Sequence, residues 1–266
     1  MMTGVVSKIV LTIAVGCVAA FSFLYFNQEK FIFHPEVLTK DHVFPFSVPF
    51  EEIWIESDGV KVHTVLFPKE DPDGVVLYFH GNAGSLREWG TLHTDFDAHP
   101  YDLWIMDYRG FGKSEGKLTS EAVLHADALK MWEAAKQRYP DKEVIIYGRS
   151  IGTGVASALA AKHPPKLLIL ETPYYNLPDL VKQIAPWAPP FLLRYRLMND
   201  QYITNQPFPI HLIHGDRDAL IPVSSSERLS TLGDHIEFHL IKGAEHNNVP
   251  SFRRYHEVLG SLLAQP

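Results

Sequence analysis

The stretch from Glu143 to Lys162 constrains this chain more than any other. An apolar run, Glu143-Val144-Ile145-Ile146-Tyr147, reads as a buried strand, and Thr153–Lys162 (TGVASALAAK) reads as a helix of small side chains. Between them lies Gly148-Arg149-Ser150-Ile151-Gly152, a G-x-S-x-G pattern at a strand-to-helix junction. A serine on so sharp a turn is held in strained backbone geometry with its hydroxyl above the sheet. The glycines around it are needed where Cβ atoms would meet the neighbouring strand and helix. A bare G-x-S-x-G is a weak signal in a chain of this length, and its junction gives it weight.

Three further landmarks follow the same logic of strand ends. Pro209-Ile210-His211-Leu212-Ile213 leads into His214-Gly215-Asp216-Arg217-Asp218-Ala219-Leu220-Ile221-Pro222, which offers an acid. Ile236–Ile241 leads into Gly243-Ala244-Glu245-His246, which offers a base. Upstream, Val75–Phe79 leads into His80-Gly81-Asn82-Ala83-Gly84. Serine, acid and histidine in that chain order match one known arrangement of a nucleophilic triad.

On these residues the chain resembles the α/β-hydrolase superfamily from Glu51 to the C-terminus. It is most similar to membrane-anchored serine hydrolases that combine four patterns. These are H-G-N-A-G, D-Y-R-G-x-G-x-S (here Asp107–Ser114), G-R-S-x-G and H-G-x-x-D-x-x-[VI]-P. Relatives of that branch include serine-aminopeptidase-like hydrolases and thioesterases acting on acylated proteins. The resemblance implies a mostly parallel sheet of about eight strands, helices on both faces and a helical lid. It implies Ser150 as nucleophile, His246 as base and Asp218 as the acid that fixes the imidazole tautomer. The backbone N–H groups of Asn82 and Ile151 would form the oxyanion hole, the latter at a helix N-terminus whose dipole favours negative charge. Because backbone groups act there, the side chain at 82 is expected to matter little. Asp216 is expected to shape the acid's turn, and Glu171 is a lesser rival for the acid. His80 reads as a brace for the oxyanion loop rather than a second base. Arg149 suits a structural ion pair or, as the alternative, an anionic substrate group. Asp107 and Arg109 read as architectural.

Charge and motif content narrow the rest. A formal net charge of −7 with no basic stripe argues against nucleic-acid binding. A single cysteine, Cys17, excludes an internal disulfide framework. No nucleotide or metal motif is found, so no cofactor and no metal are expected, and the fourteen histidines are not spaced as a ligand cluster. His211 and His214 read as ordinary strand and loop histidines facing opposite sides.

Residues 9–26 run for eighteen positions without a charge, about 27 Å as a helix, close to the hydrocarbon thickness of a bilayer. They read as an uncleaved anchor, residues 1–27. A cleaved secretory signal, with Val18-Ala19-Ala20 as its site, and a buried core helix are the alternatives. Apolar character persisting through Phe26 favours the anchor. Lys8 ahead of the segment favours a catalytic domain on the non-cytoplasmic side.

Residues 28–50, with Pro35, Pro45 and Pro49, read as a linker, and 51–266 as the hydrolase domain. Asp58-Gly59 between Glu51–Ser57 and Val60–Phe67 predicts a hairpin. Further strands are predicted at 75–79, 103–107, 143–147, 167–171, 209–213 and 236–241. Helices are predicted near 85–97, 118–138, 152–163, 223–232 and 248–263. Residues 173–206 break the rhythm with five prolines and many aromatics, and are expected to form the lid and line an apolar pocket beside Ser150. The expected activity is hydrolysis of an ester or thioester in a small-molecule or lipidated substrate, with the membrane as partner. A peptidase of aminopeptidase type needs an acid for the substrate amine, for which Glu171 is the candidate near the lid. A non-catalytic binding module would be marked by loss of a triad residue, and none is lost.

Overall fold

The computed structural model describes residues 2–264, so Met1, the first residue of the expected anchor, and the last two residues lie outside it. In chain order the strands are β1 (His34–Pro35), β2 (Glu51–Ser57), β3 (Val60–Phe67), β4 (Gly74–Phe79), β5 (Ala83–Gly84), β6 (Tyr101–Met106), β7 (Glu143–Arg149), β8 (Leu167–Glu171), β9 (Ile210–Gly215) and β10 (Ile236–Ile241). The helices are α1 (Met2–Asn27), α2 (Glu29–Ile32), α3 (Leu86–Trp89), α4 (His93–Phe96), α5 (Glu121–Arg138), α6 (Gly152–Lys162), α7 (Leu177–Ile184), α8 (Asn199–Tyr202), α9 (Ser224–Ser230) and α10 (Arg253–Leu263).

Eight strands form one sheet in the order β10-β9-β8-β7-β4-β6-β3-β2, parallel except where β3 pairs antiparallel with β2 and β6. This is the α/β-hydrolase architecture. Asp58 and Gly59 both take positive φ (50° and 73°), which sets the tight turn that pairs Ser57 with Val60. Strands β4, β6, β8 and β9 are buried throughout and β7 is buried between its half-buried ends Glu143 and Arg149, as their largely apolar runs require of a sheet covered on both faces. One core packs Leu77, Ile146 and Leu168 against Met131 of α5 and Val155 of α6. The other packs Ile145, Ile169 and Ile213 against Val258 and Leu262 of α10.

Two predicted helices are interrupted. The segment near 85–97 is α3 and α4 joined by a 3-10 turn at Gly90–Leu92. A Cβ on Gly90 would sit 2.1 Å from Phe46 Cζ, so the chain opens there to let that ring in. The segment near 248–263 begins as a 3-10 turn at Val249–Ser251, breaks at an extended Phe252, and resumes as α10.

The 28–50 stretch is more than a tether. β1 pairs in parallel with β5, and Leu38 N–H donates to Gly112 O (2.8 Å). Residues 173–206 fold as α7, a 3-10 turn at Pro190–Leu192 and α8. Tyr174, Leu177, Tyr195 and Leu197 join the core on the α5/α6 side.

Candidate active site

Each chemical group stands at the C-terminal end of a parallel strand, where the strand stops and a loop can aim a side chain off the sheet edge. Ser150 follows β7 with φ +52°, in the left-handed region that L-residues avoid. Neighbours impose that turn. A Cβ on Gly152 would lie 2.1 Å from Phe79 O, and one on Gly148 would lie 2.6 Å from Gly152 O. Strand and helix therefore pack in contact, and the serine between them has one conformation left.

His246 Nε2 lies 3.0 Å from Ser150 Oγ, and His246 Nδ1 lies 2.7 Å from Asp218 Oδ2. Asp218 Oδ1 accepts from the N–H groups of Leu220 (2.9 Å) and Ile221 (2.8 Å). Burial alone would raise the Asp218 carboxyl. Hydrogen bonds from His214, His246 and the Ile221 N–H outweigh burial and hold it well below the usual carboxylate range. Asp216 instead accepts from Gly243 N–H at 2.6 Å.

His214 belongs to this cluster, which corrects its reading as an ordinary loop histidine. It is fully buried, and its Nε2 faces two acceptors, Asp218 Oδ2 (3.1 Å) and Ile221 O (2.9 Å). Nε2 must therefore carry the hydrogen, and Nδ1 accepts from Ser226 Oγ at 2.7 Å. The recognisable signal was its place four residues before Asp218, at the end of an apolar strand.

Glu171 is fully buried and held by Arg149 (Nε–Oε1 3.2 Å) and by the Tyr147 hydroxyl (2.8 Å). It is thus neither a spare acid nor a ready partner for a substrate amine. Arg149 also lies over the Trp89 ring and donates to His246 O (3.3 Å). His80 is fully buried, stacks on Trp89, and turns Nδ1 to Gly81 O (2.7 Å) and Nε2 toward Asp107 (3.5 Å). Arg109 makes a buried pair with Asp127 (2.7 Å).

Asn82 and Ile151 flank the serine, one in the loop after β4 and one at the first turn of α6. The side chain at 82 is engaged in holding the loop. Asn82 Nδ2 donates to Ile32 O (3.0 Å), and Asn82 O accepts from His34 N–H (2.8 Å). The segment leaving α1 is thereby bonded to the loop beside Ser150.

The cavity at Ser150 measures about 470 Å³ and is lined by Gly81, Asn82, Ala83, Glu88, Trp89, Thr91, Leu92, Arg149, Leu220, His246 and Asn247. Among the described residues, none from 173–206 lines it. The expected apolar lining from the lid segment is thus replaced by a mixed wall from α3 and the loops after β4, β9 and β10. Glu88 was not foreseen there.

The histidines do form one cluster. His211 Nδ1 approaches His239 Nε2 (3.1 Å) and Glu237 Oε2 (3.6 Å) across β9 and β10, distances that would admit a metal ion. Cross-strand pairing puts them together, which a search for local spacing misses. The two rings satisfy each other when one donates and the other accepts, so the cluster needs no ion to be stable.

A profile of the serine aminopeptidase (S33) family matches residues 70–207. The chain is similar to the protein bem46 of Schizosaccharomyces pombe, 26% identical over 283 residues, covering 99% of this chain and 92% of that one. It is similar to the lysophosphatidylserine lipase ABHD12 of Danio rerio, 30% identical over 184 residues, covering 59% of this chain and 47% of the lipase. Among solved structures, the Pyrococcus furiosus esterase Pf2001 superposes with a TM-score of 0.68 at 20% identity, over 86% of this chain and 98% of the esterase.

Proposed function

Because the chain belongs to the serine aminopeptidase (S33) family of α/β hydrolases, we propose that it is a serine hydrolase cleaving an ester or thioester through an acyl-enzyme on Ser150. The observation that carries this reading is the continuous hydrogen-bonded line from Ser150 Oγ through His246 to Asp218. His246 Nε2 takes the serine proton as Oγ attacks the carbonyl carbon, and Asp218 stabilises the imidazolium that forms. The N–H groups of Asn82 and Ile151 hold the oxyanion. Collapse of the tetrahedral adduct breaks the bond to the leaving oxygen or sulfur, which departs with the proton from His246. Water then gives its proton to the same nitrogen as its oxygen attacks the acyl carbon; collapse breaks the bond to Ser150 Oγ, which recovers the proton from His246 as the acid leaves.

Acyl esters are favoured as substrates by the lipase and esterase among the similar proteins and by the apolar helix α1, which we read as a membrane anchor. In this reading residues 1–27 tether a hydrolase domain that uses part of the 28–50 stretch as well as 51–266. The 173–206 segment serves the domain elsewhere than at the Ser150 cavity. One observation favours aminopeptidase chemistry as a second reading: Glu88 lines the cavity and could receive a substrate ammonium group.

Ser150→Ala should abolish both hydrolysis and labelling by a fluorophosphonate probe while leaving the thermal midpoint in place. Labelling that persists at another serine overturns the assignment. A panel of acyl esters, thioesters and aminoacyl amides decides between the two readings. A preference for amides that Glu88→Gln removes would establish the peptidase.

A further inference from the structure

We propose that the loop Ala185–Leu193 lies in the bilayer, in the leaflet nearest the domain, as a second membrane contact beside α1. This rests on the reading of α1 as a membrane-spanning anchor.

The position of the loop carries the argument. Phe191 and Leu192 share a crevice with Val18, Phe21 and Phe26 of α1. Val18 precedes the end of α1 at Asn27 by nine residues and Phe21 by six, about 13 and 9 Å along a helix. With α1 spanning Val6–Asn27, side chains that share a crevice with it that far from its end are below the headgroups and among acyl chains.

The contact is fixed rather than incidental. Gln28, the residue after α1, is buried, donates to Leu192 O (3.0 Å) and accepts from Arg194 N–H (2.7 Å). Arg194 pairs with Glu29 (3.1 Å) and lies over the Tyr25 ring.

Composition and backbone suit lipid. Ala185-Pro186-Trp187-Ala188-Pro189-Pro190-Phe191-Leu192-Leu193 carries no charged side chain, and Lys182 and Arg194 bracket it. Trp187 is 66% exposed and Phe191 81%, with Ile184 at 64% just before them. In water such a patch has an unfavourable free energy that acyl chains remove. An irregular segment enters lipid only if its polar backbone groups are satisfied. The three prolines have no N–H to satisfy. Of the six other residues, Ala185, Ala188, Leu192 and Leu193 donate to Val181, Ala185, Pro189 and Pro190 carbonyls at 2.7–3.2 Å, which leaves the N–H groups of Trp187 and Phe191 for headgroup or water oxygens at the edge of the leaflet. Tryptophan near the headgroup boundary is the expected side chain for such a depth.

The test uses the full chain reconstituted into phosphatidylcholine vesicles brominated near the carbonyl end of the acyl chains. Trp187 is one of five tryptophans, so Trp187→Phe isolates its signal. The expected result is quenching of the wild-type emission and loss of most of that quenching in Trp187→Phe, with both proteins floating with the vesicles. Flotation with no quenching, or with quenching unchanged in the variant, overturns the loop's placement while leaving the anchor intact. Failure to float overturns the anchor and the loop's placement with it. If Trp187→Cys forms disulfide-linked dimers in a Cys17→Ala chain and bromolipid does not quench, a second copy covers the patch and the proposal is wrong.

Discussion

Asp218 accepts four hydrogen bonds, two from imidazoles and two from backbone N–H groups, with both oxygens used. An amide at this position would present a donor to His246 and leave the imidazole in the wrong tautomer. Asp218→Asn should therefore lower kcat on the order of 10⁴-fold. Asp216→Asn should leave it within a few-fold, because Asp216 only ties the turn at Gly243. Equal losses in the two variants would overturn the choice of acid. His214 acts through Asp218 and is a positioning residue. His214→Phe removes one charge-assisted hydrogen bond, so kcat should fall about 10- to 100-fold with KM little changed. The pH profile of kcat/KM should change as well, because the His214 hydrogen bond is one of those that hold the Asp218 carboxyl low. A change confined to thermal stability would reduce His214 to a core residue. The motifs named Ser150, Asp218 and His246 because strand ends and chain order are local facts. They did not reveal His214, since its role depends on a loop that folds back to bring Ile221 and Ser226 to it.

At the scale of elements, the pairing of β1 with β5 links the exit of α1 to the loop that carries Asn82. His34 N–H donates to Asn82 O, Asn82 Nδ2 to Ile32 O, and Glu36 N–H to Gly84 O (2.9 Å). These bonds tie down the loop, so in the proposed mechanism the Asn82 N–H has a fixed direction before an oxyanion forms. Removing one donor with His34→Pro should lower kcat about tenfold with little effect on KM, since the oxyanion bond tightens in the transition state. Parallel losses of kcat and thermal midpoint, or no kinetic change, would argue that β1 only adds stability. Proline-rich composition predicted the absence of long regular structure in 28–50 and could not show a two-residue strand whose partner lies nearly fifty residues away. The same limit applies to Gly90, whose break in the helix answers to Phe46. The sheet itself was legible: each buried strand is a short, mainly apolar run, and such runs carry their own approximate boundaries.

For the whole molecule, the sequence distinguished surface from interior well and misjudged which surface the 173–206 segment serves. Its aromatics signalled an apolar neighbour, and the neighbour is α5, α6 and the end of α1 rather than the Ser150 cavity. Burial on this scale also sets the response to acid. His63, His99, His125, His211 and His239 all titrate below the ordinary histidine value, in each case chiefly because burial disfavours the charged ring. His211 is pushed down to about 4 by burial and by its neighbour His239, against the pull of Glu237. The unfolded chain binds protons at these sites from about pH 6.5 downward, whereas the folded chain resists until lower pH. Their stabilisation is therefore complete above pH 6.5 and is lost as pH falls toward 4. Two carboxylates oppose this. Burial raises Asp107, and raises Asp95 to about 6, so the folded chain takes up protons there. Five sites against two predict a net loss of stability in mild acid, and His211 alone accounts for an upper bound of about 3 kcal/mol. The thermal midpoint should fall between pH 6.5 and 4.5, and less steeply in His211→Gln, which has no ring to protonate. A midpoint that is flat or rises over that interval, or a variant whose slope equals the wild type's, would show that burial of these rings does not govern the acid response.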